Sequence, residues 1–156
     1  MIAFKNLLIF LIIFIYQTTG NDQLKSELYN IKVKGNITCS DIDDKGKQVF
    51  LAISTNNHES IPNKDYLPER KFVNYGRNFT IEGKFDKIKV QKLYLIIRHS
   101  CLLPNDKSKG CNFRKITAVN IPLNKYVNKT NKNFYLWKPG NLDLSKTIDD
   151  STDSCL

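Results

Sequence analysis

Apolar and polar residues alternate through much of this chain. From Tyr29 to Cys39 it reads YNIKVKGNITC, with Tyr29, Ile31, Val33, Ile37 and Cys39 on one parity and Lys32, Lys34, Asn36 and Thr38 on the other. Successive strand side chains point to opposite faces, so this pattern predicts a half-buried strand, with Gly35 placed for a bend or bulge. Arg77 to Phe85 repeats the alternation, setting Phe79, Ile81 and Phe85 against Asn78, Thr80, Glu82 and Lys84. The densest run, Leu93 to Ile97, is rich in strand formers and too short for a long helix; it predicts a central strand ending near His99. Other strands are expected over Gln48 to Thr55 and Phe113 to Ile121, over Lys132 to Lys138, and around Leu142 to Lys146. Pro122 closes the second of these, while Pro139 and Gly140 separate the last two. Between Asn56 and Tyr75, Pro62 and Pro68 break the period and leave a short edge strand between Glu69 and Val73. The closing DDSTDSCL reads as a polar surface tail. Seven or eight short strands separated by turn chemistry predict an all-β fold, a two-sheet β-sandwich.

Residues 1–20 break this pattern. Lys5 precedes an apolar run from Leu7 to Tyr16 and then a small polar segment, the three parts of a secretory signal peptide. The run is too short for an ordinary membrane span. Cleavage near Thr19 to Asn21 leaves residues 21–156 as one domain, long enough for an autonomous core and exported to an extracellular, oxidising compartment.

The four cysteines, Cys39, Cys101, Cys111 and Cys155, all lie in that domain. An even count behind a signal peptide favours two disulfides, for which three pairings exist. The short separation of Cys101 and Cys111 favours a local bridge and leaves Cys39 for Cys155. No C-x-x-C pair supports a zinc site, and the turn holding Asp41, Asp43 and Asp44 lacks the ligand spacing of a calcium loop, so neither metal nor cofactor is expected. Three N-x-T acceptors, at Asn36, Asn78 and Asn128, are N-glycosylation candidates; Asn36 and Asn78 lie on the polar parity of their strands.

The formal charge is +9, or +8 without the leader. Lysines are spread along the chain and no nucleic-acid motif accompanies them, so the charge points to an acidic protein, a glycan or an anionic surface rather than to nucleic acid.

Taken in order, IKVKGNITC, NFTIEG, LYLIIRHSC with its downstream GC, FRKITAVNIPLNKYV, and NLDLSK before Cys155 resemble the segments of the nematode transthyretin-like family of small secreted proteins. The resemblance covers most of residues 21–156 and is poorest between Lys45 and Asn74. It implies a transthyretin-type sandwich, with His99 before the first of the central cysteines and pairings of Cys39 with Cys155 and Cys101 with Cys111. It implies no shared activity. The structurally related hydroxyisourate hydrolases use several histidines and a Y-R-G-S motif, whereas this chain has only His58 and His99 and no such motif. Ser100 and His99 are adjacent on a strand and point in opposite directions, which does not make a catalytic pair.

The leading reading is a non-enzymatic extracellular binding or signalling protein, a monomer or weak homodimer. Lys64, Arg70, Lys71, Lys107 and Lys109 are its basic contacts, and Trp137 with Lys138 is a candidate exposed aromatic contact. The alternatives are a carrier of a small hydrophobic ligand and an unrecognised hydrolase.

Overall fold

The computed structural model describes residues 28–40, 47–57, 65–86, 90–103, 105–106, 110, 114–124, 133–146, 148 and 150–156. The leader, His58, the Asp41–Asp44 turn, Lys64, Lys107, Lys109, Cys111 and Asn128 lie outside them. The alternating segments become eight strands: β1 (Leu28–Thr38), β2 (Gln48–Ser54), β3 (Tyr66–Asn74), β4 (Asn78–Asp86), β5 (Leu93–His99), β6 (Lys115–Ile121), β7 (Phe134–Asp143) and β8 (Ser151–Cys155). They form a two-sheet β-sandwich. The small sheet has the order β4-β1-β7, and the large one β3-β2-β5-β6-β8. Pairing is antiparallel in the large sheet and between β1 and β4, whereas β7 runs parallel to β1.

The apolar parities meet between the sheets. Tyr29, Ile31, Val33 and Ile37 of β1 share one core with Leu51 and Ile53 of β2, Phe79, Ile81 and Phe85 of β4, and Leu93, Leu95 and Ile97 of β5. The rings of Tyr29, Phe85 and Tyr135 pack at one end of it, with centroids 5.7–5.9 Å apart. β5 lies in the middle of the large sheet, as its composition predicts. Its apolar run is continuous because both faces are buried: Ile96 joins Ile116 and Ala118 in a second, smaller cluster on the outer face.

Three local expectations change. The segments either side of Pro139 belong to one strand, β7, which carries an extra residue where its register against β1 shifts between Val33 and Gly35. β7 is an edge strand, where the missing proline N–H leaves no ladder bond unmade on the open side, and Gly140 takes φ 79° at the irregularity. The closing segment keeps its expected place near the surface but is also a strand. Ser151 to Cys155 pair with β6 as an edge strand, Lys115 facing Cys155 and Val119 facing Ser151. Its polar sequence has no apolar alternation to reveal it; the backbone of β6 supplies the reason to be extended. β3, finally, begins at Tyr66 and extends to Asn74, holding Pro68 on a sheet edge.

Gly35 is required by a close approach. A Cβ there would stand 2.9 Å from the carbonyl oxygen of Gly140 and 3.1 Å from the Phe79 ring. Gly35→Ala is therefore expected to destabilise the domain by about 1–3 kcal/mol, an overpacking cost read from urea unfolding.

The disulfide pairing corrects both the spacing argument and the resemblance. Cys39 bonds Cys101, with Cα atoms 6.0 Å apart across a sequence separation of 62. Cys39 follows β1 on its buried parity, and Cys101 follows β5 on the parity of Leu93, Leu95, Ile97 and His99; both point into the core. β1 and β5 are the middle strands of their sheets, so the bond ties the two layers together where these strands end. Cys155 is also disulfide-bonded, and its partner lies outside the described residues. Proximity along the chain favours a local bridge for Cys101, but its inward direction decides otherwise.

Candidate binding face

The outer face of the large sheet gathers aromatic and cationic side chains that are scattered in sequence. Phe72 of β3 is opposite Phe50 of β2, Phe50 is opposite Arg98 of β5, and Arg98 is opposite Ile116 of β6. Strand parity sends these four residues to the same side. The Arg98 guanidinium carbon lies 5.6 Å from the Phe50 ring centre and 5.9 Å from that of Tyr66, and its Nη2 donates a 2.8 Å hydrogen bond to the Tyr66 hydroxyl. Arg70 stacks on the other contact of that ring, 5.0 Å from its centre. Phe50 meets Phe72 and Tyr66 edge-on, with centroids 5.4 and 6.5 Å apart. Phe72 itself is 65% exposed.

Phe50, Phe72 and Arg98 border a cleft of ≈ 580 Å³ that Lys47, Ser100 and Arg114 also line, and none of its described lining residues is acidic. No carboxylate among the described residues pairs with Arg70, Arg98 or Arg114. Arg98 Nε is buried with no hydrogen-bond acceptor. Stacking and the Tyr66 bond thus hold a guanidinium in place, at the edge of a cationic and aromatic cleft, with donors unspent.

The basic residues named from sequence do not make one patch. Arg70 belongs to this face, whereas the adjacent Lys71 has the opposite parity and donates to the Thr80 carbonyl of β4 at 3.2 Å. Lys138 is exposed on β7 of the other sheet. Trp137 is corrected outright: at 7% exposure it belongs to the core, so it offers no exposed aromatic contact. The bulge after it turns the chain outward only from Lys138. Among the described residues the exposed aromatic is Phe72. Its signal in sequence, an apolar residue on the polar side of KFVN, was obscured by the proline-broken period around it.

His99 faces inward and is 3% exposed. Its Nδ1 accepts the Cys101 N–H at 3.2 Å, so Nε2 carries the proton and donates to Thr117 Oγ1 at 2.9 Å; Thr117 in turn donates to Asp153 Oδ1 at 2.8 Å. Lys115 Nζ continues the chain, 3.1 Å from Asp153 and 3.0 Å from Asp106, which also accepts the Leu103 N–H at 3.0 Å. In this arrangement the imidazole donates to the hydroxyl and does not take its proton, which is structural hydrogen bonding rather than nucleophile activation. The network joins β5, β6 and β8 to the segment after Cys101.

On the small sheet, Asn36 and Asn78 are directly opposed cross-strand partners, with Asn36 Nδ2 donating to Asn78 Oδ1 at 3.5 Å. Where β1 and β7 end, Asp143 accepts from the Ser40 hydroxyl at 2.6 Å and from the Ser145 hydroxyl at 2.7 Å. Burial alone would push the Asp143 carboxyl up; these hydroxyls and the Ser145 and Ser40 backbone outweigh it and hold the group well below the usual carboxylate range. Among the described residues no group of three or more His, Cys, Asp or Glu side chains could hold a metal ion, and no helix is long and apolar enough to cross a membrane.

The chain matches no family model, and no curated protein matches it. The geometry of the large sheet therefore carries the functional argument.

Proposed function

We propose that this protein is an exported, non-enzymatic binding protein that recognises an acidic partner through the outer face of its five-stranded sheet. The observation that carries this reading is the stacked Arg98 in a cleft with Arg114 and Lys47 and with no acidic residue among its described lining residues. A purely apolar ligand would leave the guanidinium groups of Arg98 and Arg114 desolvated and without a counter-charge, at a cost that binding would have to exceed. Export rests on the leader-like residues 1–20 and on the disulfides of the domain. The ordered segments that resemble the secreted transthyretin-like family point the same way, although its expected cysteine pairing is not the one found.

Capture experiments with the oxidised domain test the face. Arg70→Glu on β3 with Arg114→Glu just before β6, both exposed, is expected to abolish retention of the bound species. Lys34→Glu with Lys84→Glu, on the outer face of the small sheet, is expected to leave retention within about twofold, since surface charges away from a contact act weakly. The reverse pattern overturns the proposal.

A further inference from the structure

We infer that the cleft at Arg98 seats one carboxylate of an acidic peptide segment in a protein partner, with an apolar neighbour of that carboxylate packed on Phe72. This rests on the functional reading above and narrows it to one residue class and one occupant.

Among the described residues, Lys34, Lys84 and Lys138 are exposed on the small sheet, whereas Lys47 and Arg114 are exposed at the cleft. The cleft is distinguished by Arg98, an arginine that two rings hold, with Arg114 and Lys47 also in its lining. Arginine and aromatic residues surrounded by a polar rim are the composition of protein interface centres. A guanidinium presents its donors in a flat fork that matches a carboxylate, and Arg98 spends only one of them on Tyr66. Two strands away across the half-buried Phe50, Phe72 stands 65% exposed and lines the same cleft, an apolar contact within reach of a residue neighbouring the bound carboxylate. The occupant that satisfies both is an acidic residue flanked by an apolar one. The row Phe72, Phe50, Arg98 runs across three strands, and gives an extended segment an apolar and cationic track to lie along.

The test uses the oxidised protein, ¹⁵N-labelled, with acetylated and amidated hexapeptides containing Phe-Glu, Phe-Gln or Ser-Glu at their centre. A heparin hexasaccharide and vesicles with anionic phosphatidylserine serve as the other arms. The Phe-Glu peptide is expected to shift the amides of Phe50, Phe72 and Arg98. Phe-Gln should bind at least about tenfold more weakly, because it removes a charge-assisted pair, and Ser-Glu several-fold more weakly. Arg98→Gln should erase the distinction between Phe-Glu and Phe-Gln while leaving the core amides of β5 in place. Phe72→Ser, at an exposed position, should erase the distinction between Phe-Glu and Ser-Glu, and checks the site if Arg98→Gln disturbs folding.

Equal binding of Phe-Glu and Phe-Gln, or no shift at millimolar Phe-Glu, overturns the inference. If the heparin fragment or the vesicles shift these amides and the peptide does not, the carboxylate inference falls and the acidic-partner face survives. If no arm shifts them, both fall.

Discussion

Replacing Cys39 and Cys101 together by serine is expected to lower the stability of the domain by about 4 kcal/mol. The bond closes a loop with a sequence separation of 62, and chain-entropy arguments assign a closure of that length about 4 kcal/mol, within the range of roughly 2 to 5 seen when native bridges are removed from small domains. The two serine hydroxyls would also sit in a core that holds Cys39 and Cys101 at 9% and 0% exposure, which adds to the cost rather than offsetting it. Equilibrium urea unfolding of the oxidised wild type and the double variant checks this. A difference under about 1 kcal/mol would mean that the tie between β1 and β5 does not limit the unfolded chain. Peptide mapping without reduction checks the pairing itself: a fragment joining Cys39 to Cys101 is expected, and one joining Cys39 to Cys155 would contradict the structure.

Lys115→Met should cost about 3 kcal/mol or more at neutral pH, because breaking a buried ion pair leaves its carboxylates without their counter-charge. The side chains of Lys115 and Asp106 are only 11% and 12% exposed, so water compensates little; Asp153, at 43%, is better solvated and contributes less. Methionine keeps the volume and removes the charge, which separates electrostatics from packing. Burial pulls the Lys115 ammonium towards neutrality, but the hydrogen bonds and charges of Asp106 and Asp153 exceed that effect and raise it above the ordinary lysine value. A group with a raised folded pKa stabilises fully below its unfolded pKa and loses that contribution as pH rises through the folded one. The gap between wild type and Lys115→Met should accordingly stay constant from pH 7 to about 9 and shrink above about 10.5. A gap that widens in alkali would show that the pair is not what stabilises the ammonium.

The strand order, the pairing of edges and the cysteine partners show where sequence is informative and where it stops. β1, β4 and β5 were legible because burial has period two: the residues on the apolar parity of β1, Tyr29, Ile31, Val33, Ile37 and Cys39, are all buried. β8 was not legible, since an edge strand of STDSC buries almost nothing and is extended only because β6 offers it a ladder. Trp137 illustrates the same limit from the other side. Its composition suits either a core or a contact, and only the packing of the small sheet sends it inward. For the binding face, Arg70 was visible as a cation, but Arg98, Phe50 and Phe72 lie on three strands that become neighbours only through the register of the large sheet.

By itself, then, the sequence determined the all-β class, a scale of seven or eight short strands and the inward parity of the principal strands, because these follow from local alternation and turn chemistry. The tertiary structure decided the 3+5 division of the strands, the bond from Cys39 to Cys101 and the cleft around Arg98. Each of those depends on which distant segments face one another, and parity fixes a side chain's direction without fixing its neighbour.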